Sequence, residues 1–295
     1  MADINLEFVA AIPYYGIMSF TIDNNGKMWV TCYEPDSSFY HVYTSLPPYD
    51  YFTAFTSIAA ANPSLADITT LPNNDKWIVP WTAAPIIING TTEAVTTYAG
   101  DAHFNRHGIL NDGTNLYIIC LSEGVWKKAP PLTTGNFSQI LTHPAGHANP
   151  PYGLTGAQLN SVDGLVYVSL YSSPSSNGGA VYTFNPSSPS WVNTGAPNTS
   201  YHDPFCAHNG DVYVGSPDLS GSLRKKIYGG GWSTVTTNIN RTFNYGWFTS
   251  DDSTLYLASA SHLYKTATTT VPPPPVALSA VPHVEEIEVT WTWSL

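Results

Sequence analysis

Charge is what this chain lacks most. Asp, Glu, Lys and Arg make up only 11% of its 295 residues, less than half the share usual in soluble domains. Just 10 residues are Lys or Arg against 21 Asp or Glu, a net charge of −11. The one run of three basic residues is Arg224-Lys225-Lys226. Such a surface repels phosphate backbones, so nucleic acid is not expected as a partner. No apolar run is long enough to span a bilayer, so no membrane insertion is expected. No stretch carries the 3.6-residue period of a long amphipathic helix. The opening MADINLEFVAA has no basic n-region and no long apolar h-region, so it does not read as a signal peptide. Cysteine is scarce too: Cys32, Cys120 and Cys206 are odd in number and lack metal-type spacing, which argues against a disulfide scaffold. Cys32 and Cys120 fall at matching positions and read as small buried hydrophobes. A P-loop, a dinucleotide fingerprint and a G-x-S-x-G elbow are all absent.

In place of charge stand 19 Tyr, 9 Trp, 22 Gly and 24 Pro, a composition of strands and turns. One phrase recurs six times: NNGKMWVTC, NNDKWIVPW, NDGTNLYIIC, DGLVYVSL, HNGDVYVGS and DDSTLYLAS. Each is an Asn/Asp/Gly turn feeding a short strand with an aromatic near its start. Those aromatics are Trp29, Trp77, Tyr117, Tyr167, Tyr213 and Tyr256, at intervals of 48, 40, 50, 46 and 43 residues. A four-stranded propeller blade recurs at roughly this length. Before each ruler lies one apolar strand, such as GIMSFTI or GLTGAQL. After it lie a third and, in most units, a fourth. The fold class expected is therefore all-β, a six-bladed β-propeller over residues 1–270. The sixth unit runs from HLYKTATTT into VPPPP without a fourth strand. INLEFVAAI at the N-terminus is expected to supply it and close the ring. Residues 271–275 form a Pro-rich linker, and 276–295 a short β segment.

The fourth unit, GLVYVSLYSSPSSNGGAVYTFNPSSPSWVNTGAP, resembles a kelch repeat in its Gly pair, aromatic strand, Asn-Pro turn and outer-strand Trp. The other units lack the Gly pair or misplace it, so the chain is similar to the propeller superfamily broadly, with a loose lean towards kelch- and NHL-like members. That resemblance implies a fold and not an activity. PPPPVALSAVPHVEEIEVTWTW is similar to the opening of a fibronectin type III domain. Such modules accompany binding propellers in phage tail and bacterial surface proteins, which implies a virion or surface protein. A chain without a secretion signal, yet with an aromatic, weakly charged surface, fits a virion protein that is extracellular after lysis.

Propellers bind ligands where the innermost strands converge. The stretches entering those strands align as PYYG, SLAD, NRHG, PPYG, YHDP and FNYG. A pseudo-sixfold ring would bring Tyr15, Asp67, His107, Tyr152, His202, Asp203 and Tyr245 to one channel mouth, where they could bind a polar ligand. The alternative is that the tyrosines plug the channel and hydrogen-bond one another. His103, His107, His143 and His147 give two H-x3-H spacings, a zinc pattern on a helix. Here both lie in Gly- and Pro-rich loops, so no metal and no cofactor are expected. The scarce glutamates do not open first strands, and no catalytic residue is singled out. Aromatics in polar loops, among them Tyr33, Tyr49, Tyr51, Trp81, Tyr171 and Tyr201, suit carbohydrate, so a host glycan is a possible ligand. The expectation is a non-enzymatic virion or surface protein; the alternative is a propeller hydrolase or lyase with a channel-mouth metal. In the tail, Ile287, Val289, Trp291, Trp293 and Leu295 alternate strictly with polar residues. That apolar stripe is expected to dock onto other virion or surface subunits, in an oligomer or a larger assembly.

Overall fold

The computed structural model describes residues 3–282 and 287–292, apart from segments 13–15, 35–38, 59–64, 101–105, 145–152, 172–179, 198–200, 249–252 and 268–276 and single residues 82, 99, 122 and 217. The repeated phrase builds the same device in successive units. Its Asx turn leads into the second strand of a sheet, and the ruler aromatic is always the second residue of that strand. In blades one, three and four it reaches back to the acid of its own turn. Trp29 Nε1 donates to Asp23 Oδ2 at 3.0 Å. The hydroxyls of Tyr117 and Tyr167 donate to Asp112 Oδ2 at 2.6 Å and to Asp163 Oδ2 at 2.9 Å. All six rulers are buried, and in these three the acid satisfies a polar atom that would otherwise be costly inside.

Strand β1 (Leu6–Ala11) precedes six four-stranded antiparallel sheets. Blade one contains β2 (Gly16–Ile22), β3 (Met28–Glu34), β4 (Phe39–Ser45) and β5 (Thr53–Ala54). Blade two contains β6 (Leu65–Thr70), β7 (Lys76–Pro80), β8 (Ile86–Ile88) and β9 (Val95–Thr97). Blade three contains β10 (Arg106–Asn111), β11 (Leu116–Cys120), β12 (Gly124–Lys128) and β13 (Ser138–Leu141). Blade four contains β14 (Gly153–Leu159), β15 (Val166–Tyr171), β16 (Val181–Asn185) and β17 (Ser188–Asn193). Blade five contains β18 (Pro204–Cys206), β19 (Val212–Val214), β20 (Ser222–Lys226) and β21 (Trp232–Thr236). Blade six has β22 (Tyr245–Phe248), β23 (Leu255–Ser259) and β24 (His262–Thr266), and β1 is its fourth strand. Leu6 faces Thr266 and Ala11 faces His262 across that ladder. The N-terminal strand therefore closes the ring, as its sequence leads one to expect. The segment also grips blade five: Leu6 N and Asn238 Oδ1 are 2.6 Å apart, and Asn238 Nδ2 donates to Leu6 O at 2.9 Å.

The apolar cores lie between blades. One joins Trp77 and Val79 to Ile109 and Ile118 across blades two and three. Another joins Ile17 and Phe20 to Tyr256 and Leu263, across blades one and six. Cys32 and Cys120 are buried in these two cores and Cys206 in another between blades four and five, none of them in a disulfide. Blades one and two also share a buried ion pair. Lys76 Nζ lies 2.8 Å from Asp23 Oδ2, with side-chain exposures of 1% and 3%. Burial would raise the Asp23 carboxyl, but Lys76, Trp29 and the Lys27 N–H together hold it below its ordinary value. Truncating one partner strands the other charge inside. Lys76→Ala is therefore expected to cost about 3–5 kcal/mol in denaturant unfolding, and a loss under 1 kcal/mol would show that the pair is not structural.

Strands β25 (Ala277–Pro282) and β26 (Ile287–Thr292) form a separate two-stranded antiparallel sheet. They pair only with each other among the described residues. Their register sets Leu278 opposite Trp291, Ala280 opposite Val289 and Pro282 opposite Ile287. The three apolar residues of β26 thus each stand opposite an apolar residue of β25, whereas Val281 stands opposite Glu288. Residues 271–275, Trp293 and Leu295 lie outside the described residues. No helix among the described residues is long and apolar enough to cross a membrane.

Candidate functional site at the channel mouth

Four inner strands share an irregularity at one level of the channel. Pairing slips between Ile17 and Ser19 in β2, Leu65 and Asp67 in β6, Arg106 and Gly108 in β10, and Leu154 and Ala157 in β14. The residues inserted are Met18, Ala66, His107 and the pair Thr155-Gly156. A bulge re-aims the side chain it carries. Met18, Ala66, His107 and Thr155 all line one cavity of about 330 Å³. Ile17, Trp81, His202, Asp203 and Asn244 complete its wall. Every blade contributes at least one residue.

Beside the cavity, Asp67 acts as a bracket. Its carboxylate accepts from Ser19 Oγ of blade one. It also accepts from the backbone N–H of Ile68 in its own blade and of Ile109 in blade three, each at 2.8 Å. The Tyr245 hydroxyl of blade six shares a hydrogen bond with the same Ser19, and its ring meets Phe20 edge-on at 5.0 Å. One carboxylate thus ties three blades together and reaches a fourth through Ser19. Burial raises the Asp67 carboxyl to about 6, while its three donors oppose the rise.

Asp203 is placed differently. It lines the cavity, and among the described residues it makes no hydrogen bond. Its carboxylate lies where a side chain on Gly156 would be, 2.1 Å from an ideal Cβ there. Burial and then the charge of Asp67 raise its carboxyl well above the ordinary value. His107 and His202 are both pushed down to about 4 by burial, so both imidazoles are neutral at pH 7. His107 stacks on Trp81 with centroids 5.1 Å apart and an interplanar angle of 21°. The Trp81 Nε1 atom is buried, with no hydrogen-bond partner among the described residues. The wall therefore offers an aromatic stack and a carboxyl that has no protein donor among the described residues.

The structure brings together Asp67, His107, His202, Asp203 and Tyr245 from the set expected at the mouth. Asp67 and Tyr245 are spent on holding blades, whereas His107, His202 and Asp203 line the cavity. Tyr15 and Tyr152 lie outside the described residues. Ala66 and Asn244 fall inside the aligned entries SLAD and FNYG without standing out there, whereas Met18, Thr155 and Trp81 fall outside the aligned entries. Of the loop aromatics suited to glycan, Tyr49 and Tyr201 are buried in packing, and Tyr51 is 75% exposed. Among the described residues, no group of three or more His, Cys, Asp or Glu is placed to hold a metal ion.

A six-bladed β-propeller with a walled channel mouth is the class that this fold and cavity define. No family model matches the chain, and no curated protein sequence matches it. Solved structures do. The chain is similar to a structural-genomics protein of unknown function from Bacteroides thetaiotaomicron, with a TM-score of 0.65 and 14% identity over 89% of this chain and 75% of that one. It is similar to an auxiliary nutrient binding protein from the same organism, with a TM-score of 0.65 and 8% identity over 89% of this chain and 76% of that one. A putative gluconolactonase also matches, with a TM-score of 0.65 and 11% identity over 91% of this chain and 93% of that one. At such identities the likeness shows the propeller fold alone.

Proposed function

We propose that the chain is a non-catalytic binding propeller that takes a small, hydroxyl-rich ligand of the carbohydrate type in the channel-mouth cavity. The observation that carries this reading is the wall itself. The Trp81–His107 stack shares one cavity with Thr155, Asn244 and Asp203. Sugars present apolar C–H faces and hydroxyls together, and this wall supplies a partner for each. The description of one structural neighbour as nutrient-binding agrees in kind. Surface Tyr51, with Asp50 and Lys27 in a depression on blade one, is a second place where a glycan residue could rest. We further place the propeller in a virion or surface assembly, docked through residues 276–295. What supports that placement is the register that sets Ile287, Val289 and Trp291 of β26 opposite Pro282, Ala280 and Leu278 of β25.

Calorimetric titration with monosaccharides tests the reading. Trp81→Ala and His107→Ala are each expected to weaken binding at least about tenfold, the loss of roughly one good contact. Their melting temperatures are expected to stay within a few degrees of wild type. Binding that survives both changes would place the site elsewhere. Turnover of lactone or ester substrates by the wild-type chain would overturn the non-catalytic reading.

A further inference from the structure

The channel mouth is short of positive charge. Two carboxyls, Asp67 and Asp203, stand close enough that the charge of one raises the proton affinity of the other. Among the described side chains, no Lys or Arg lines the cavity. The two carboxyls are not equivalent. Asp67 has three donors, all from the protein. Asp203 has none among the described residues, and it faces the space a ligand would fill. Gly156 makes room for the Asp203 carboxylate itself, since a Cβ there would collide with it. A part-buried carboxyl with no protein donor among the described residues is costly in the free protein. Such a cost persists in sites where a ligand relieves it.

We propose that the cavity selects ligands bearing a cationic amine, with Asp203 as the specificity-determining residue that pairs with it. The inference rests on the carbohydrate reading and deepens it to the class of amino sugars. An ammonium group would donate to the Asp203 carboxylate and lie against the aromatic wall of Trp81 and His107. It would also lower the raised proton affinity of this carboxyl beside Asp67, so binding shifts Asp203 towards proton release. The other groups around this carboxyl are His107 and His202, both neutral at pH 7, and Tyr245, whose phenol stays protonated. None of them supplies a competing cation. A uronate would bring a third carboxylate and be rejected.

The test is calorimetry on the full chain with matched trios in the gluco, galacto and manno series: the hexosamine, the hexose and the uronate. Ethanolamine serves as an amine that is not a sugar. In at least one series the hexosamine is expected to bind about tenfold or more tightly than the hexose, with the uronate weakest. Asp203→Asn should flatten the order, with retained melting behaviour showing that the variant is folded. Repeating the titration in buffers of different ionisation heat should show proton release with the hexosamine in wild type and none in the variant. If hexose binds as tightly as hexosamine, or uronate as tightly as either, amine selection is wrong while the carbohydrate reading stands. If no sugar binds but ethanolamine does, through Asp203, the carbohydrate reading fails and amine selection stands. If neither sugars nor ethanolamine bind, both fall.

Discussion

A chain without residues 1–12 should melt about 10 °C or more below the full chain and should self-associate. The deletion removes β1, the outer strand of blade six. With it go the buried side chains Leu6, Ala10 and Ile12. Leu6 and Ile12 together contribute roughly 3–6 kcal/mol of burial. Each kcal/mol moves the midpoint of a large domain by about 2–4 °C. The ties to blade five through Asn238 are lost as well. The exposed side of β24 is then a row of unpaired backbone groups, a template for association. Calorimetry and light scattering read both effects. An unchanged midpoint would mean that ring closure contributes little to stability.

Asp67→Ala is expected to cost roughly 3 kcal/mol or more, because it orphans buried donors at about 1–3 kcal/mol each. These are Ser19 Oγ, the Ile68 N–H and the Ile109 N–H. The loss falls on three blades at once, so denaturant unfolding should show it at every probe. A cost below 1 kcal/mol would remove the bracket. The pH dependence carries a sign that separates the two carboxyls from ordinary acid denaturation. Asp67 rises from 3.8 to about 6 on folding, chiefly by burial. An acid raised in the folded state binds more protons there than when unfolded. Its contribution is full below 3.8 and is lost as the pH climbs to about 6. Asp203 is raised in the same direction by burial and by Asp67. Asp203→Asn should therefore stabilise the free protein at neutral pH relative to wild type. That gain should shrink as the pH is lowered towards 4. A variant less stable than wild type at pH 7 would show that Asp203 has a structural partner.

Much of the architecture was legible in the chain because its determinants are local. The ruler aromatics and their turn acids sit four to six residues apart, as in Asp163 with Tyr167 and Asp23 with Trp29. A repeating turn and aromatic can therefore be counted along the sequence. The missing fourth strand of unit six, with a spare strand at the N-terminus, implied closure, since an unpaired edge is a liability. The cavity was legible only in part. His107, His202 and Asp203 stand out as polar residues at strand entries. Aligning the entries on their glycines, however, sets Tyr15 three residues before Met18, and Tyr152 three before Thr155. In β10 the glycine follows the bulge; in β2 and β14 it precedes it. Where a ladder slips is settled by packing against neighbouring blades, some 40–50 residues away in the chain. Trp81 enters from the end of a second strand, which no alignment of first strands contains. The division between Asp67, spent on three donors, and Asp203, left facing the cavity, also belongs to the tertiary structure. It depends on which backbone N–H groups the neighbouring blades bring within reach, and on the bare Cα of Gly156 in the adjacent blade.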